Sequence, residues 1–184
     1  PFLIAGPCVL EAERLNLTVA ERLAAMAERL GLAVTYKASF DKANRSRLRG
    51  VRGPGIEEGL RALAKVRETS GLPVLTDVHE PDQAALAAAV VDVVQIPAFL
   101  CRQTDLLLAA GRTGCPVNVK KGQWMSPDAM AGALEKIRRG GTTAVAVTER
   151  GTFFGYGDLV VDMRNFARLR AACGAPVIFD ATHS

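Results

Sequence analysis

Aromatic side chains are scarce in this sequence, at 5% of 184 residues. A surface that stacks nucleic-acid bases needs them interleaved with cations, and none is interleaved with the densest basic stretch here. Abundant Ala, Val and Leu suit tightly packed α/β layers better than a β-sandwich. Long hydrophobic runs are also missing. The apolar opening, Pro1-Phe2-Leu3-Ile4-Ala5-Gly6, is far shorter than a membrane span and has no basic leader, so neither a membrane segment nor an export signal is expected. Cysteine is thinly spread as Cys8, Cys101, Cys115 and Cys173, without C-x-x-C spacing. Reduced thiols in a cytoplasmic protein are the expectation. Gly (17) and Pro (9) are near average usage, which argues against low complexity. The excess of 23 Lys+Arg over 19 Asp+Glu leaves only +4, so the placement of the basic residues matters more than their number.

What the sequence does have is alternation. Strand-like runs cover Phe2–Gly6, Ala33–Ala38, Pro73–Asp77, Asp92–Ile96, Val117–Lys120, Ala144–Val147 and Pro176–Asp180. Amphipathic stretches lie between them, at Glu11–Leu30, Ile56–Thr69, Pro81–Ala89, Thr104–Gly111, Pro127–Arg139 and Asp162–Cys173. In the first, Leu15, Val19, Leu23, Met26 and Leu30 recur at helical spacing. Gly31, Gly71, Gly111, Gly140 and Gly174 are expected as left-handed helix stops. Repeated β-α units imply a parallel sheet. The first turn, Gly6-Pro7-Cys8-Val9-Leu10, lacks the G-x-G-x-x-G of a doubly wound nucleotide fold, and polar residues follow almost every strand. The expectation is a TIM (β/α)8 barrel forming a single domain over residues 1–184. A whole barrel needs about 250 residues, so the chain is expected to be truncated after about the seventh strand.

Active sites of such barrels lie at the C-terminal ends of the strands. Those ends carry Cys8, Lys37 and Lys42, Asp77 and His79, Gln95, Lys120 and Lys121, Glu149 and Arg150, and Asp180 and His183. Lys120 ends the apolar-alternating run Val117-Asn118-Val119, where an ammonium calls for an anionic partner. Several cations on one rim suit phosphate and carboxylate groups. Lys42-Ala43-Asn44-Arg45-Ser46-Arg47-Leu48-Arg49 mixes hydroxyl and amide groups with charge, which suits a sugar phosphate. Gly50, Gly53 and Gly55 then suggest a tightly turned covering loop. Cys8 and His183 are candidate ligands for zinc, iron or manganese, although a lone Cys or His is more often structural.

Six strings in order carry a family resemblance across the whole sequence. They are Lys37-Ala38-Ser39-Phe40-Asp41-Lys42-Ala43-Asn44-Arg45-Ser46, Thr76-Asp77-Val78-His79-Glu80, Gln95 to Asp105, Asn118-Val119-Lys120-Lys121-Gly122-Gln123, Thr148-Glu149-Arg150-Gly151, and Phe179-Asp180-Ala181-Thr182-His183-Ser184. These closely resemble the 3-deoxy-D-manno-octulosonate 8-phosphate (KDO-8-phosphate) synthase family. The resemblance implies a carbon-carbon bond-forming transferase that condenses phosphoenolpyruvate with D-arabinose 5-phosphate in lipopolysaccharide biosynthesis, releasing inorganic phosphate. It implies Lys120 and Arg150 on phosphoenolpyruvate, aided by Lys37 and Lys42, and Asn44, Arg45 and Ser46 on the sugar phosphate. Gln95 joins the substrate-binding set, Asp77 and His79 contact hydroxyls or handle protons, and Lys37, Lys42 and Lys120 count as catalytic. Arg102 is implied to reach a neighbouring subunit's site in a homotetramer. Cysteine rather than asparagine at position 8 resembles the metal-dependent branch of the family. His183 then matches its histidine ligand, and its Glu and Asp ligands lie beyond Ser184. Neither nucleic acid nor membrane is implied as a partner. The aromatic-pathway relative using erythrose 4-phosphate, 3-deoxy-arabino-heptulosonate 7-phosphate synthase, carries Lys-Pro-Arg-Thr where this sequence has Lys42-Ala43-Asn44-Arg45-Ser46. A sialic-acid synthase would have no use for that sugar-phosphate motif. A catalytically dead, sugar-phosphate-binding barrel is the alternative of another class.

Overall fold

A computed structural model describes residues 2–184. It packs as two compact units, one made of residues up to Asp77 with Leu86–Val94, the other of Val78–Ala85 with Gln95–Ser184. The first holds β1 (Phe2–Val9), α1 (Glu13–Leu30), β2 (Ala33–Ser39), α2 (Ile56–Ser70) and β3 (Val74–Asp77). Helix α3 (Pro81–Ala88) and strand β4 (Val93–Ile96) run through the division. The second holds a 3-10 turn (Ala98–Leu100), α4 (Thr104–Arg112), β5 (Val117–Lys120), α5 (Pro127–Gly140) and β6 (Val145–Glu149). A hairpin, β7 (Thr152–Phe154) and β8 (Asp158–Val160), then precedes α6 (Asn165–Cys173) and β9 (Val177–Phe179).

Seven strands hydrogen-bond in the order β1-β2-β3-β4-β5-β6-β9. The pairs β1/β2, β2/β3, β5/β6 and β6/β9 all run parallel. A doubly wound sheet reverses its order at a switch point; this one never does. Its order is that of a TIM barrel through the seventh strand.

Period-two alternation decides what each strand offers. On β2, Val34, Tyr36 and Ala38 are buried, while Lys37 lies on the opposite face with Ser39. On β5, Val117 and Val119 alternate with Asn118 and Lys120; on β6, Val145, Val147 and Glu149 alternate with Ala146 and Thr148. The apolar faces meet the helices. In the first unit Ala20 and Leu23 of α1 and Leu63 and Val66 of α2 are buried, and in the second Leu107, Met130, Leu134, Ile137 and Leu169. Each such Leu, Ile, Val or Met side chain contributes about 1.5–3 kcal/mol.

Strand β1 runs three residues further than its apolar run suggests, through a register shift between Ala5 and Cys8 that accommodates Pro7. A Cβ on Gly6 would stand 2.0 Å from the Lys37 carbonyl oxygen, so only glycine lets β1 approach β2 there. Cys8 follows with φ of 72°, alone among the described non-glycine residues in being left-handed. The hairpin β7/β8 was not foreseen, although Thr152-Phe153-Phe154 and Asp158-Leu159-Val160 around Gly155-Tyr156-Gly157 carry its signal. Helix α6 starts at Asn165 rather than Asp162, because the Asp162 carboxylate accepts the Arg164 N–H at 3.0 Å and the carbonyl of Asp162 accepts that of Asn165.

Two of the five glycine stops are corrected. Gly31, Gly71 and Gly174 end their helices with φ of 61°, 69° and 54°. Gly111 and Gly140 lie inside α4 and α5, and the positive-φ residues that follow are Gly114 and Gly141. They are glycines because the two helices touch there: a Cβ on Gly111 would meet the Ile137 carbonyl oxygen at 2.0 Å, and one on Gly140 the Leu108 carbonyl oxygen at 2.6 Å. Gly111→Ala should therefore destabilise by about 1–3 kcal/mol through overpacking. Gly132→Ala, facing open space on α5, should stabilise by roughly 0.5–1 kcal/mol. Urea denaturation of the two variants measures both; equal effects would refute the close-approach reading.

Candidate functional site

The first unit gathers two cations on one oxygen. Lys37 and Lys42 donate from Nζ to Ser39 Oγ at 2.8 and 2.9 Å, and the Ser39 hydroxyl donates to Asp77 Oδ2. Lys37 also donates to the Cys8 carbonyl at 3.2 Å and lies 3.3 Å from Asp77 Oδ2. Alternation brings these groups together, since Lys37 and Ser39 share a face of β2 and Asp77 ends β3. The two ammoniums lie within about 6 Å of each other, a repulsion of about 3 kcal/mol at an effective dielectric near 20. Burial is the largest influence on Lys37 and depresses it, but the Asp77 carboxylate, the Cys8 sulfur and its hydrogen bonds together leave the pKa raised. Lys42 is pushed down, by burial first and the Lys37 charge next, against the pull of Asp77 and Cys8. Two ammoniums against one carboxylate leave a positive charge for an anion. Asn44, Arg45 and Ser46 are exposed in the loop that follows, where Arg45 Nε donates to the Val51 carbonyl at 2.8 Å. Arg52 pairs with Asp41, and Gly53 and Gly55 adopt φ of 121° and 85°, the tight turn expected of this loop.

The second unit holds a buried polar ladder and a second set of cations. Thr148 Oγ1 donates to Asn118 Oδ1 at 2.8 Å, and Asn118 Nδ2 donates to Gln95 Oε1 at 2.8 Å. Lys120 lies 2.5 Å from Asp180 Oδ2, and His183 Nδ1 is 3.0 Å from each Asp180 oxygen. Burial raises the Asp180 pKa, but the bonds to His183 and Lys120 prevail and hold the carboxyl far below its usual range. Arg150 donates from Nη2 to the His183 carbonyl at 2.7 Å, and burial lowers its pKa.

Lys121 departs from the expected rim. Its side chain is fully buried, with the Gly122 and Gly151 carbonyls at 3.3 and 2.9 Å, Thr152 Oγ1 at 3.2 Å and Glu149 Oε1 at 3.4 Å. Glu149 in turn accepts the Gly151 N–H at 2.7 Å and Asn165 Nδ2 at 3.2 Å. Alternation explains the division: Lys120 follows Asn118 onto one face of β5, and Lys121 is sent to the other. Burial lowers the Lys121 pKa despite Glu149.

His79 and Arg102 line one cavity of about 580 Å³ with Glu80, Gln103, Thr104 and Asp105. A more apolar cavity of about 530 Å³, lined by Trp124, Met125, Phe153, Phe154 and Val160, depends on the hairpin and was not anticipated. Ser39, Asn118 and Thr148 were likewise passed over, although each shares a strand face with a basic residue singled out from the sequence.

No group of three or more His, Cys, Asp and Glu side chains suited to a metal occurs among the described residues. The donor chemistry nonetheless fits: a carboxylate on His183 Nδ1 is the pairing that orients a ligating imidazole through its other nitrogen. No disulfide joins Cys8, Cys101, Cys115 or Cys173 among the described residues, and no helix among them is long and apolar enough to cross a membrane.

A protein-family model described as the DAHP synthetase I family matches residues 1–184. The 2-dehydro-3-deoxyphosphooctonate aldolase of Syntrophotalea carbinolica is 56% identical over 182 residues, 99% of this chain and 65% of the relative. The proteins of that name from Trichlorobacter lovleyi and Koribacter versatilis are 54% and 55% identical, covering 66% and 65% of their lengths. The chain thus spans just under two thirds of the length of the curated relatives it matches.

Removing one partner of the buried Lys121–Glu149 pair should be costly. Lys121→Met or Glu149→Gln alone should destabilise by about 3–5 kcal/mol, and the double variant by much less than the sum. A double-mutant cycle in urea checks this; additive losses would show that the two charges do not support each other.

Proposed function

Because the chain belongs to the DAHP synthetase I family over its whole length, we propose that the protein carrying it condenses phosphoenolpyruvate with D-arabinose 5-phosphate, yielding 3-deoxy-D-manno-octulosonate 8-phosphate and inorganic phosphate for lipopolysaccharide. The observation that carries this reading is the 54–56% identity, over 99% of the chain, to relatives named 2-dehydro-3-deoxyphosphooctonate aldolase. In the reaction the enol-ether carbon of phosphoenolpyruvate attacks the aldehyde, water adds at the adjacent carbon, and phosphate leaves by C–O cleavage. Its demands are positioning and charge neutralisation. Lys120 and Arg150 supply cations for the carboxylate and phosphate; the Lys120 ammonium has three N–H donors, so it can serve substrate while keeping Asp180. Lys37 and Lys42 belong to the same anion-binding set, and Gln95 adds a neutral polar group. Asn44, Arg45 and Ser46 are assigned to the sugar phosphate, and Asp77 and His79 to its hydroxyls or to proton handling. Arg102 is assigned to a neighbouring subunit's sugar phosphate in a homotetramer, and the enzyme to the cytoplasm. Cys8 and His183 are proposed donors to a divalent zinc, iron or manganese ion, which would polarise an oxygen or acidify water when bound.

The family's description keeps 3-deoxy-arabino-heptulosonate 7-phosphate synthase as a second reading. Turnover of the natural full-length enzyme with the two aldose phosphates decides between them: a preference for erythrose 4-phosphate would overturn the first. Arg45→Ala should raise KM for arabinose 5-phosphate roughly tenfold or more, leaving KM for phosphoenolpyruvate nearly unchanged. Label placed in the bridging oxygen of phosphoenolpyruvate should leave with phosphate. Chelation should abolish activity, and zinc, iron or manganese should restore it; undiminished turnover would remove Cys8 and His183 from the metal assignment.

A further inference from the structure

The side chains of Lys121 and Glu149 are both 0% exposed, so neither is open to substrate, yet each adjoins a cation assigned to it. Lys121 directly follows Lys120, the last residue of β5, and Glu149, the last of β6, directly precedes Arg150. The two strand ends are in register, with Lys120 opposite Thr148 and the Lys121 N–H donating to the Thr148 carbonyl at 2.8 Å. Between the two buried charges lies the backbone of Gly151. The Glu149 carboxylate accepts the Gly151 N–H at 2.7 Å, and the Lys121 ammonium donates to the Gly151 carbonyl at 2.9 Å. Gly151 has φ of 85°, and no residue type has more backbone freedom than glycine. The chain beside Arg150 is therefore free by nature and is held by two charge-assisted bonds. On the other flank the Glu149 carbonyl accepts the Asp180 N–H at 2.9 Å, so Arg150 is fixed from both sides. Stability is a poor reason for such a pair, since apolar side chains of similar volume often serve as well or better.

We infer that Lys121 and Glu149 are positioning residues: by clamping Gly151 from the buried side, they fix the geometry in which Arg150, with Lys120, meets the carboxylate and phosphate of phosphoenolpyruvate. This rests on the phosphoenolpyruvate reading above. A guanidinium presents its donors as a rigid fork, so it grips an oxyanion well only at the right angle. A small turn of the backbone at Arg150 then weakens binding although no charge has been removed. The ammonium of Lys120 is more forgiving, because its three donors rotate on a flexible stem. The clamp thus acts chiefly through Arg150.

The double variant Lys121→Met/Glu149→Gln, made in the natural full-length enzyme, separates positioning from charge and from folding. The pair is neutral before and after, and no buried charge is left alone. The glutamine oxygen can still accept the Gly151 N–H, so what is lost is the hold on the Gly151 carbonyl. KM for phosphoenolpyruvate should rise about tenfold, the worth of one well-made hydrogen bond to a charged group, and KM for the aldose phosphate less than about twofold. Lys121→Met alone should raise KM for phosphoenolpyruvate at least as far. Fewer folded molecules lower the maximal rate and leave KM untouched, so Gly111→Ala, destabilised at the α4–α5 contact, should keep that KM within about twofold. Backbone hydrogen exchange at Gly151, read by NMR without substrate, should quicken roughly tenfold in the double variant and not in Gly111→Ala. An unchanged KM for phosphoenolpyruvate in the double variant, an equal rise in Gly111→Ala, or unaltered exchange at Gly151 would overturn the inference. Calorimetry that finds no binding of phosphoenolpyruvate to the unsubstituted enzyme would overturn the proposed reaction itself, and this inference with it.

Discussion

Four lysine ammoniums at the ends of parallel strands have to be reconciled with surroundings of low dielectric, and the way each is partnered organises the residues around it. Lys37 and Lys42 share the hydroxyl of Ser39, with one carboxylate to offset two charges. Lys120 has a carboxylate of its own in Asp180. Lys121 is fully buried and is met by Glu149, two carbonyls and a hydroxyl. Desolvation makes an unpartnered ammonium untenable in such places. Lys37 and Lys120 each share a strand face with polar residues, and Lys42 lies in the loop after β2; Lys121 has been turned into structure.

This division has consequences for the second unit as a whole. Glu149 and Lys121 grip Gly151 and Thr152 at the base of the hairpin, and Glu149 also reaches Asn165 at the start of α6. The strand ends that carry Lys120 and Arg150 are therefore built over a buried ion pair. On the opposite face, Thr148 donates to Asn118 and Asn118 donates to Gln95. A buried ion pair thus fixes the backbone at the hairpin, while neutral dipoles link the strands on the other face.

Much of this was legible in the sequence because it is local. Apolar alternation placed Val117, Asn118, Val119 and Lys120 on a strand, and the spacing of Leu15, Val19, Leu23 and Met26 placed a helix. Gly31, Gly71 and Gly174 stopped helices for the reason any left-handed residue does. Gly111 and Gly140 looked the same and were not, since the contact between α4 and α5 that demands them joins residues some thirty positions apart. The hairpin was missed because its strands are only three residues each and pair with one another instead of joining the main sheet.

The sequence alone determined the order of β and α units, the residue types at the strand ends and, through six motifs, the family to which the chain belongs. These follow from periodicity and identity, which need no knowledge of what is near in space. Only the tertiary structure decided that Ser39 joins two lysines, that Lys121 is buried while Lys120 is not, and that Thr148, Asn118 and Gln95 are linked across three strands. Each of these depends on register between neighbouring strands, where a shift of one residue would send every side chain to the other face. Hydrogen-bond direction is set by such neighbours, and no single strand carries it.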